Sequence, residues 1–306
     1  MNTEVKRVNN KIQSQDGIIS TIFIYFFIVF ILVITIYPFL NVLALSFNDS
    51  ADSMQGINMI WPRVWTLDNY KRLMQFETIP RAAVNSVVRT ILGTVTGLLS
   101  AAALAYTLSR RDYVFRRAIG FLFVATIYVS GGIIPWFILI VNLNLNNSFM
   151  VYLLPGLISV WNVIVIRSFM DNLPYELQES AMLDGGGDFT IFSRIIFPLC
   201  MPVIATVSLW IAVGHWNDWF TTYLFNASRS DLSTLQYELM KVLDSTNSNP
   251  AGLAMRDPNA AAYMRMVSPM SVRMSITVVV IVPILMVYPF IQKYFVTGMT
   301  LGAVKS

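Results

Sequence analysis

Very few side chains in this sequence are equipped for covalent chemistry. Cys200 is the only cysteine and His215 the only histidine among 306 residues. No internal disulfide can form, and Cys and His ligands are too few to build a zinc or non-haem iron site. The chain holds no Gly-x4-Gly-Lys-Ser/Thr loop to cradle phosphates, no His-Glu-x-x-His helix and no Gly-x-Ser-x-Gly elbow. Two groupings stand out instead. One is an acidic, glycine-interrupted stretch from Asp171 to Pro198, DNLPYELQESAMLDGGGDFTIFSRIIFP. The other is an aromatic and polar set: Trp210, His215, Trp216, Asn217, Asp218 and Trp219, with Trp161, Asn162 and Arg89 earlier in the chain. Side chains of these types stack, hydrogen-bond and pair charges, so they point to binding and docking rather than to an enzyme.

The elements that must position them are membrane helices. The chain is 56% hydrophobic and 12% charged, about half the charged fraction of a soluble domain. Its formal charge of +4 is dispersed in short connections, with no basic face long enough to track nucleic acid. A span needs roughly 20 apolar residues, and the charge-free intervals supply six. The first lies within Gly17–Asn48 and the second within Thr90–Ser109, between Arg89 and Arg110. Ala118–Ile166 is long enough for two spans, divided by Asn142–Ser148. The fifth runs from about Pro202 to Trp219 and the sixth from Met274 to Gln292. The first run is too long for a signal peptide and lacks a cleavage site, so it is expected to remain as a helix.

Arg110, Arg111, Arg116 and Arg117 follow span two, whereas the connection after span three has no charge. Lys and Arg favour the cytoplasmic side, which places both termini inside. The expected organisation is a cytoplasmic segment 1–16, a transmembrane domain 17–298 and a cytoplasmic tail 299–306. Residues 171–198 then lie inside and 226–273 outside. Gly93-x-x-x-Gly97, continuing to Ser100-Ala101-Ala102-Ala103, suits close helix packing. Gly131, Gly132, Pro135, Pro155, Pro202 and Pro283 interrupt spans, which is tolerated where neighbours or a water-lined cavity satisfy the freed backbone.

Within 171–198 the pattern predicts two short helices around a glycine turn. Pro174 suits a first helical turn, Glu176 and Glu179 complement the helix dipole, and Gly185 suits the left-handed helix stop. Asp188 is expected to cap the second helix, with Phe189, Phe192, Ile195 and Ile196 as its apolar stripe. The whole segment resembles the EAA loop of bacterial ABC importer permeases: Glu179-Ser180-Ala181, then Gly185, then Ile195-Ile196-Phe197-Pro198. Ser replaces the first Ala of that pattern and Phe replaces its Leu, with spacing intact. The resemblance extends over nearly the whole chain to the carbohydrate branch of that family, similar to the permeases of complex-oligosaccharide and maltose-type systems. It is carried by Asn85-Ser86, Ala105-Tyr106-Thr107-Leu108-Ser109-Arg110, Leu153-Leu154-Pro155-Gly156-Leu157, Trp216-Asn217-Asp218-Trp219 and Gly302-Ala303-Val304-Lys305.

The resemblance implies an all-α type I importer permease, six spans with a cytoplasmic coupling loop. It implies that Glu176, Glu179, Ser180, Ala181, Asp184, Gly185 and Gly186 dock on an ATP-hydrolysing subunit, with Gly298, Gly302 and Lys305 of the tail as a second contact or as a free end. A second homologous permease, two ATP-binding subunits and an extracytoplasmic solute-binding protein are the implied partners. ATP and magnesium are then bound by the partner ATPases, with no cofactor in this chain. Sugars present apolar ring faces and hydroxyl edges, which suits Trp161, Asn162, Trp210, His215, Trp216, Asn217 and Asp218 for the pathway; Trp216 and Trp219 are alternatively interfacial anchors. Arg89 either snorkels outward or lines the entrance. Tyr237, Met240, Tyr263 and Met264 in the long external loop contact the binding protein by this resemblance, or belong to a cap on the chain's own helices. Family analogy favours an oligosaccharide, including one that contains uronic acid, over a monosaccharide. An ion-coupled secondary transporter is the alternative, weakened because no Asp or Glu lies centrally in a span.

Overall fold

The computed structural model describes residues 2–53, 60–129, 131–244 and 270–303. The helices in order are α1 (Asn2–Ser46), α2 (Ser50–Ser53), α3 (Asp68–Met74), α4 (Thr78–Ser109), α5 (Arg116–Tyr128) and α6 (Ile133–Asn142). Two 3-10 turns, Phe149–Tyr152 and Leu154–Gly156, precede α7 (Val160–Met170) and α8 (Glu176–Leu183). Then α9 (Asp188–Ile191) passes through a π-helical turn, Phe192–Ile196, into α10 (Phe197–Leu199). The chain continues with α11 (Met201–Asn217), α12 (Phe220–Phe225), a 3-10 turn Ser230–Leu232, α13 (Leu235–Asp244) and α14 (Met270–Ala303). Among the described residues the only β pairing is the isolated bridge of Asn48 with Trp65.

Six spans are present only if bent pairs are counted as single crossings. Ser20–Ser46, Thr78–Ser109 and Met270–Val287 are long and apolar enough alone. The other three are α5 with α6, Phe149–Gly156 with α7 (bent by 43°), and Asp188–Leu199 with α11 (bent by 83°). The expected continuous spans three to five are therefore broken, and the breaks fall at helix-incompatible residues. Gly132 precedes α6 with φ +80°. Pro155 lies within the second 3-10 turn, and Pro202 opens α11, where its missing N–H leaves no bond unmade. Span two is longer than expected: α4 starts at Thr78, so Arg81 and Arg89 lie within the helix. The last helix likewise runs past Gln292 to Ala303, and α1 begins at Asn2 rather than at Gly17.

The chain divides into two compact units. The first is Met1–Leu73 with Pro258–Val278. Its α1 leaves every side chain from Ser20 to Leu40 exposed, among them Phe23, Phe26 and Phe39. A helix apolar all round with its backbone bonded internally is suited to hydrocarbon rather than to water. Thr35, a polar residue in this run, returns its hydroxyl to the carbonyl of Ile31 (2.8 Å). Where the helix ends, Asn48 organises the chain. Its Nδ2 donates to Asp52 Oδ2 (2.8 Å) and Ser53 Oγ (2.9 Å), and its Oδ1 accepts from the N–H groups of Arg63 and Val64, both at 2.9 Å. Asn69 Nδ2 donates to the carbonyls of Ser46 and Asn48, and Ser275 Oγ donates to Ser46 O (3.1 Å).

The second unit, Met74–Asp257 with Val279–Ser306, holds the principal core. Ala101, Ala102, Ala105 and Tyr106 of α4 pack with Val163, Ile166 and Met170 of α7, Ile191 and Ile196 of the α9 segment, and Cys200, Ile204 and Val207 near and on α11. Small residues on α4 let α7 and α11 approach closely, as their spacing predicts. Gly93 has a sharper reason. A Cβ there would stand 2.3 Å from His215 Nε2, and one on Gly156 would stand 3.6 Å from His215 Cε1. The imidazole of α11 thus occupies a slot between two glycines. We expect Gly93→Ala to lower the thermal midpoint of the purified protein by the overpacking cost of about 1–3 kcal/mol. His215→Ala added to it should recover most of that loss, and a double variant no better than Gly93→Ala would refute the slot.

Candidate functional site

Two polar constellations, both within the second unit, lie at opposite ends of α4. The first surrounds Arg89, three turns into the helix. Arg89 is 2% exposed, and its Nη2 donates to Asp218 Oδ2 in an ion pair. Its Nη1 donates to the Asp218 carbonyl (2.8 Å), and its guanidinium lies 4.4 Å from the centre of the Tyr152 ring. Asp218 also accepts from Thr221 N (3.0 Å) and Thr221 Oγ1 (2.6 Å), which fixes the start of α12. Tyr152 donates its hydroxyl to the Leu232 carbonyl (2.7 Å) and lies 3.1 Å from Thr222 Oγ1, which in turn bonds Thr234 Oγ1 (3.0 Å). One turn nearer the helix start, Asn85 Nδ2 donates to the carbonyls of Asp231 (2.8 Å) and Ser233 (2.9 Å), while Ser86 Oγ accepts from Leu235 N (2.9 Å). The Asn85-Ser86 pair therefore tethers α13 to α4.

The second constellation is the hairpin 171–198. Its α8 ends in a complete Schellman arrangement: Gly186 N donates to Ala181 O (2.8 Å), Gly185 N donates to Met182 O (3.0 Å), and Gly185 has φ +81°. A Cβ on Gly186 would stand 2.8 Å from Ala181 O, so that position has no room, whereas Gly185 needs its backbone freedom only. Two local expectations are corrected here. Pro174 lies before the helix, beyond the cap position Tyr175. Asp188 makes no capping bond; Gly187 holds that position, and the Asp188 carboxylate faces Arg110 Nη1 at 3.2 Å instead.

Burial separates the hairpin into an anchored and a free face. Ala181, Met182, Ile191, Phe192, Ile195 and Ile196 join the core, with Phe192 5.2 Å from the Tyr106 ring. Phe189 leaves the expected apolar stripe and is 78% exposed, and Ile191 takes the inward place. Leu183 is 89% exposed, and Glu176, Glu179, Ser180 and Asp184 are exposed beside it. Leu183 thus shares the free face of α8 with the carboxylates of Glu176, Glu179 and Asp184. Tyr106, Ser109 and Arg110 are buried at the foot of α4. Arg110 joins Asp112 (Nη2 to Oδ2, 2.7 Å) to Asp188, and its bond to Asp112 holds that carboxyl below its ordinary range.

Of the remaining residues singled out by sequence, Trp161 is 60% and Trp210 43% exposed, and Asn217 is also exposed. Asn162 is buried. Trp216 is buried too and donates Nε1–H to Val280 O (3.0 Å), so it is not an interfacial anchor. Arg89 neither snorkels nor stands open at an entrance, because its charge is committed to Asp218. Tyr237 and Met240 are half-buried on α13, while Tyr263, Met264 and Lys305 lie outside the described residues. Gly298 and Gly302 fall within α14. Sequence patterns miss Tyr152, Thr222 and Glu238. Glu238 is fully buried against Ser233 Oγ and Lys241 Nζ (2.7 Å).

Residues 93–301 match the family described as binding-protein-dependent transport system inner membrane component. The chain belongs to that family. This permease is 34% identical over 284 residues to the polygalacturonan/rhamnogalacturonan transport system permease protein YtcP of Bacillus subtilis, covering 92% of this chain and 96% of the relative. It is 29% identical to the arabinooligosaccharides transport system permease protein AraQ of Halalkalibacterium halodurans, over 90% of this chain and 93% of that one. Its fold matches a chain in the crystal structure of a bacterial ABC transporter involved in the import of the acidic polysaccharide alginate. The TM-score there is 0.81 at 26% identity, covering 92% of this chain and 98% of the other. The fold expected from the sequence is thus the family fold, and the chain is an inner-membrane permease component, not an enzyme. As an ABC importer permease it works with an ATPase and a binding protein.

Two outcomes test these constellations. Asp218→Asn strands a buried guanidinium and should cost the permease about 3–5 kcal/mol, while Arg89→Met with Asp218→Asn recovers most of it. Thermal midpoints in the order single, double, native would establish the pair; equal singles and doubles would not. At the hairpin, Gly186→Val should abolish co-purification of the ATPase, whereas Gly185→Asn, which tolerates a left-handed backbone, should retain it.

Proposed function

We infer that this permease is one of two homologous membrane subunits and forms half of the pathway for a carboxylate-bearing oligosaccharide. An extracytoplasmic solute-binding protein delivers the sugar, and ATP with magnesium binds in two partner ATPase subunits. The observation that carries the substrate class is the double likeness to one permease named for polygalacturonan/rhamnogalacturonan and to an importer of the acidic polysaccharide alginate. Both termini are cytoplasmic in this reading, which Arg110 and Arg111 after α4 and Arg116 and Arg117 at the start of α5 support. The exposed Glu176, Glu179, Ser180, Leu183 and Asp184 seat on the ATPase, and the α14 tail with Gly298, Gly302 and Lys305 is its second contact. Tyr237 and Met240, held by the Asn85 and Ser86 tether, face the binding protein.

Closure of the ATPases draws the hairpin inward. Ile191, Phe192 and Ile196 transmit that displacement to the foot of α4 and to α7 and α11, since a close-packed core passes on movement rather than absorbing it. The exposed Trp161 and Trp210 offer platforms for sugar ring faces, and Asn217 offers hydrogen bonds to hydroxyls. Asp218 is neutralised by Arg89, which argues against an ion-coupled mechanism through that carboxylate.

Uptake of labelled oligosaccharides by cells that lack and then regain this chain tests the proposal. Restored uptake of an oligogalacturonide, at least tenfold over a neutral oligosaccharide of equal length, is expected. Trp210→Ala should lower it roughly tenfold, the value of one lost stacking contact. Restoration of the neutral sugar alone would overturn the substrate class.

A further inference from the structure

Beside the hairpin 171–198 lies a cleft between α8 and the residues that follow α4. It encloses about 270 Å³ and is lined by Ser109, Arg111, Arg116, Asp171, Tyr175 and Gln178, among others. Gln178 is 4% exposed, yet its Oε1 has no hydrogen-bond partner. A buried carbonyl oxygen left unbonded is costly, and it is suited to a donor that enters the cleft. The charge around it is unbalanced. Arg110 is neutralised by Asp112 and Asp188, and Asp171 is ion-paired with Arg167, Oδ2 to Nε at 3.4 Å. Arg111, Arg116 and Arg117 form no ion pair among the described residues, and Arg111 rests 4.6 Å from the centre of the Tyr175 ring. Between these arginines, Val114 is 86% and Phe115 62% exposed. Two large apolar side chains standing free among cations are arranged for the boundary of a bilayer, with hydrocarbon on one side and headgroups on the other.

We propose that this cleft holds the headgroup of an anionic phospholipid of the inner leaflet. Arg111 and Arg116 bind the phosphate diester, Gln178 Oε1 accepts from a glycerol hydroxyl of the headgroup, and Val114 with Phe115 enters the acyl region. Guanidinium groups suit phosphate oxygens because they offer several donors in a plane. The carbonyl selects a headgroup that carries a donor beyond the phosphate, as phosphatidylglycerol does. A lipid seated there touches α8 and the foot of α4 together, so it stiffens the joint through which the hairpin acts. The inference rests on the cytoplasmic placement of this connection.

The test is native mass spectrometry of the full permease complex in detergent, with phosphatidylglycerol and phosphatidylcholine supplied in equal amounts. Native complex should retain phosphatidylglycerol preferentially. Arg111→Gln with Arg116→Gln should weaken that retention roughly thirtyfold, since each basic group near a lipid headgroup contributes about fivefold. The corresponding double Lys variant should keep most of it, which separates lost charge from lost folding, and gel filtration reports the latter directly. In a second competition, with phosphatidylglycerol and phosphatidic acid in equal amounts, native complex should prefer phosphatidylglycerol and Gln178→Leu should lose that preference. Equal retention by native and double Gln complexes overturns the proposal, as does displacement of the lipid by inorganic phosphate at millimolar concentration. Orientation is read separately: Arg117→Cys should resist an impermeant thiol reagent added outside intact cells, with Cys200 buried and silent. Labelling from outside would refute the topology, whatever the lipid result.

Discussion

A guanidinium enclosed by apolar helices must be neutralised where it lies, because neither water nor lipid can reach it to do so. Arg89 imposes that demand, and Asp218 and the face of Tyr152 meet it. Three segments far apart in sequence are thereby held in one arrangement: α4, the 3-10 turn that carries Tyr152, and the corner between α11 and α12. The remaining polar contacts of this region follow from that arrangement. With its ring under Arg89, Tyr152 also reaches Leu232 and Thr222, and Asp218, while paired with Arg89, also holds the start of α12.

Helix α4 joins this lock to the hairpin 171–198. Arg89 and Arg110 stand about 31 Å apart along its axis, and both engage an aspartate from a distant segment. The face between them is built from Gly93, Gly97, Ala101, Ala102 and Ala105, all buried. Such a face keeps α7 and α11 at close range without long side chains to cushion movement. The hairpin, α4, α7 and α11 thus share one close-packed core, and the Arg89–Asp218 pair lies at its far end. The broken spans add to this mechanical picture. The discontinuities at Gly132, Pro155 and Cys200–Pro202 place the yielding points of the bundle at fixed positions, because continuous helix is not available there.

Most of the hairpin is legible in its local sequence. The spacing from Glu179 through Gly185 to Pro198 locates the helix, its stop and its return to the membrane, since each of those features depends on a local backbone preference. The details that depart from expectation depend on neighbours. Asp188 has the right side chain to cap a helix, but Arg110 competes for it, and a charged partner outweighs a backbone N–H that water can also satisfy. Phe189 fits an inward stripe by spacing, yet the π-helical turn after Ile191 shifts the register of the inward face. At the other end of α4, Asn85 and Ser86 are recognisable as a signature, but the carbonyls and the N–H they bind belong to residues nearly 150 positions later.

The sequence by itself determined the membrane class, the family fold and the acidic hairpin, because hydrophobic length, charge bias and glycine placement act within a few residues of one another. Only the tertiary structure decided which charges meet and which aromatic residues stay open. His215 is the clearest case. Its residue type allows it to line a pathway, and nothing near it in the chain says otherwise. Its position is set by two glycines on other segments that leave a space of its own size. Complementarity of that kind is a property of facing surfaces and has no counterpart along the chain.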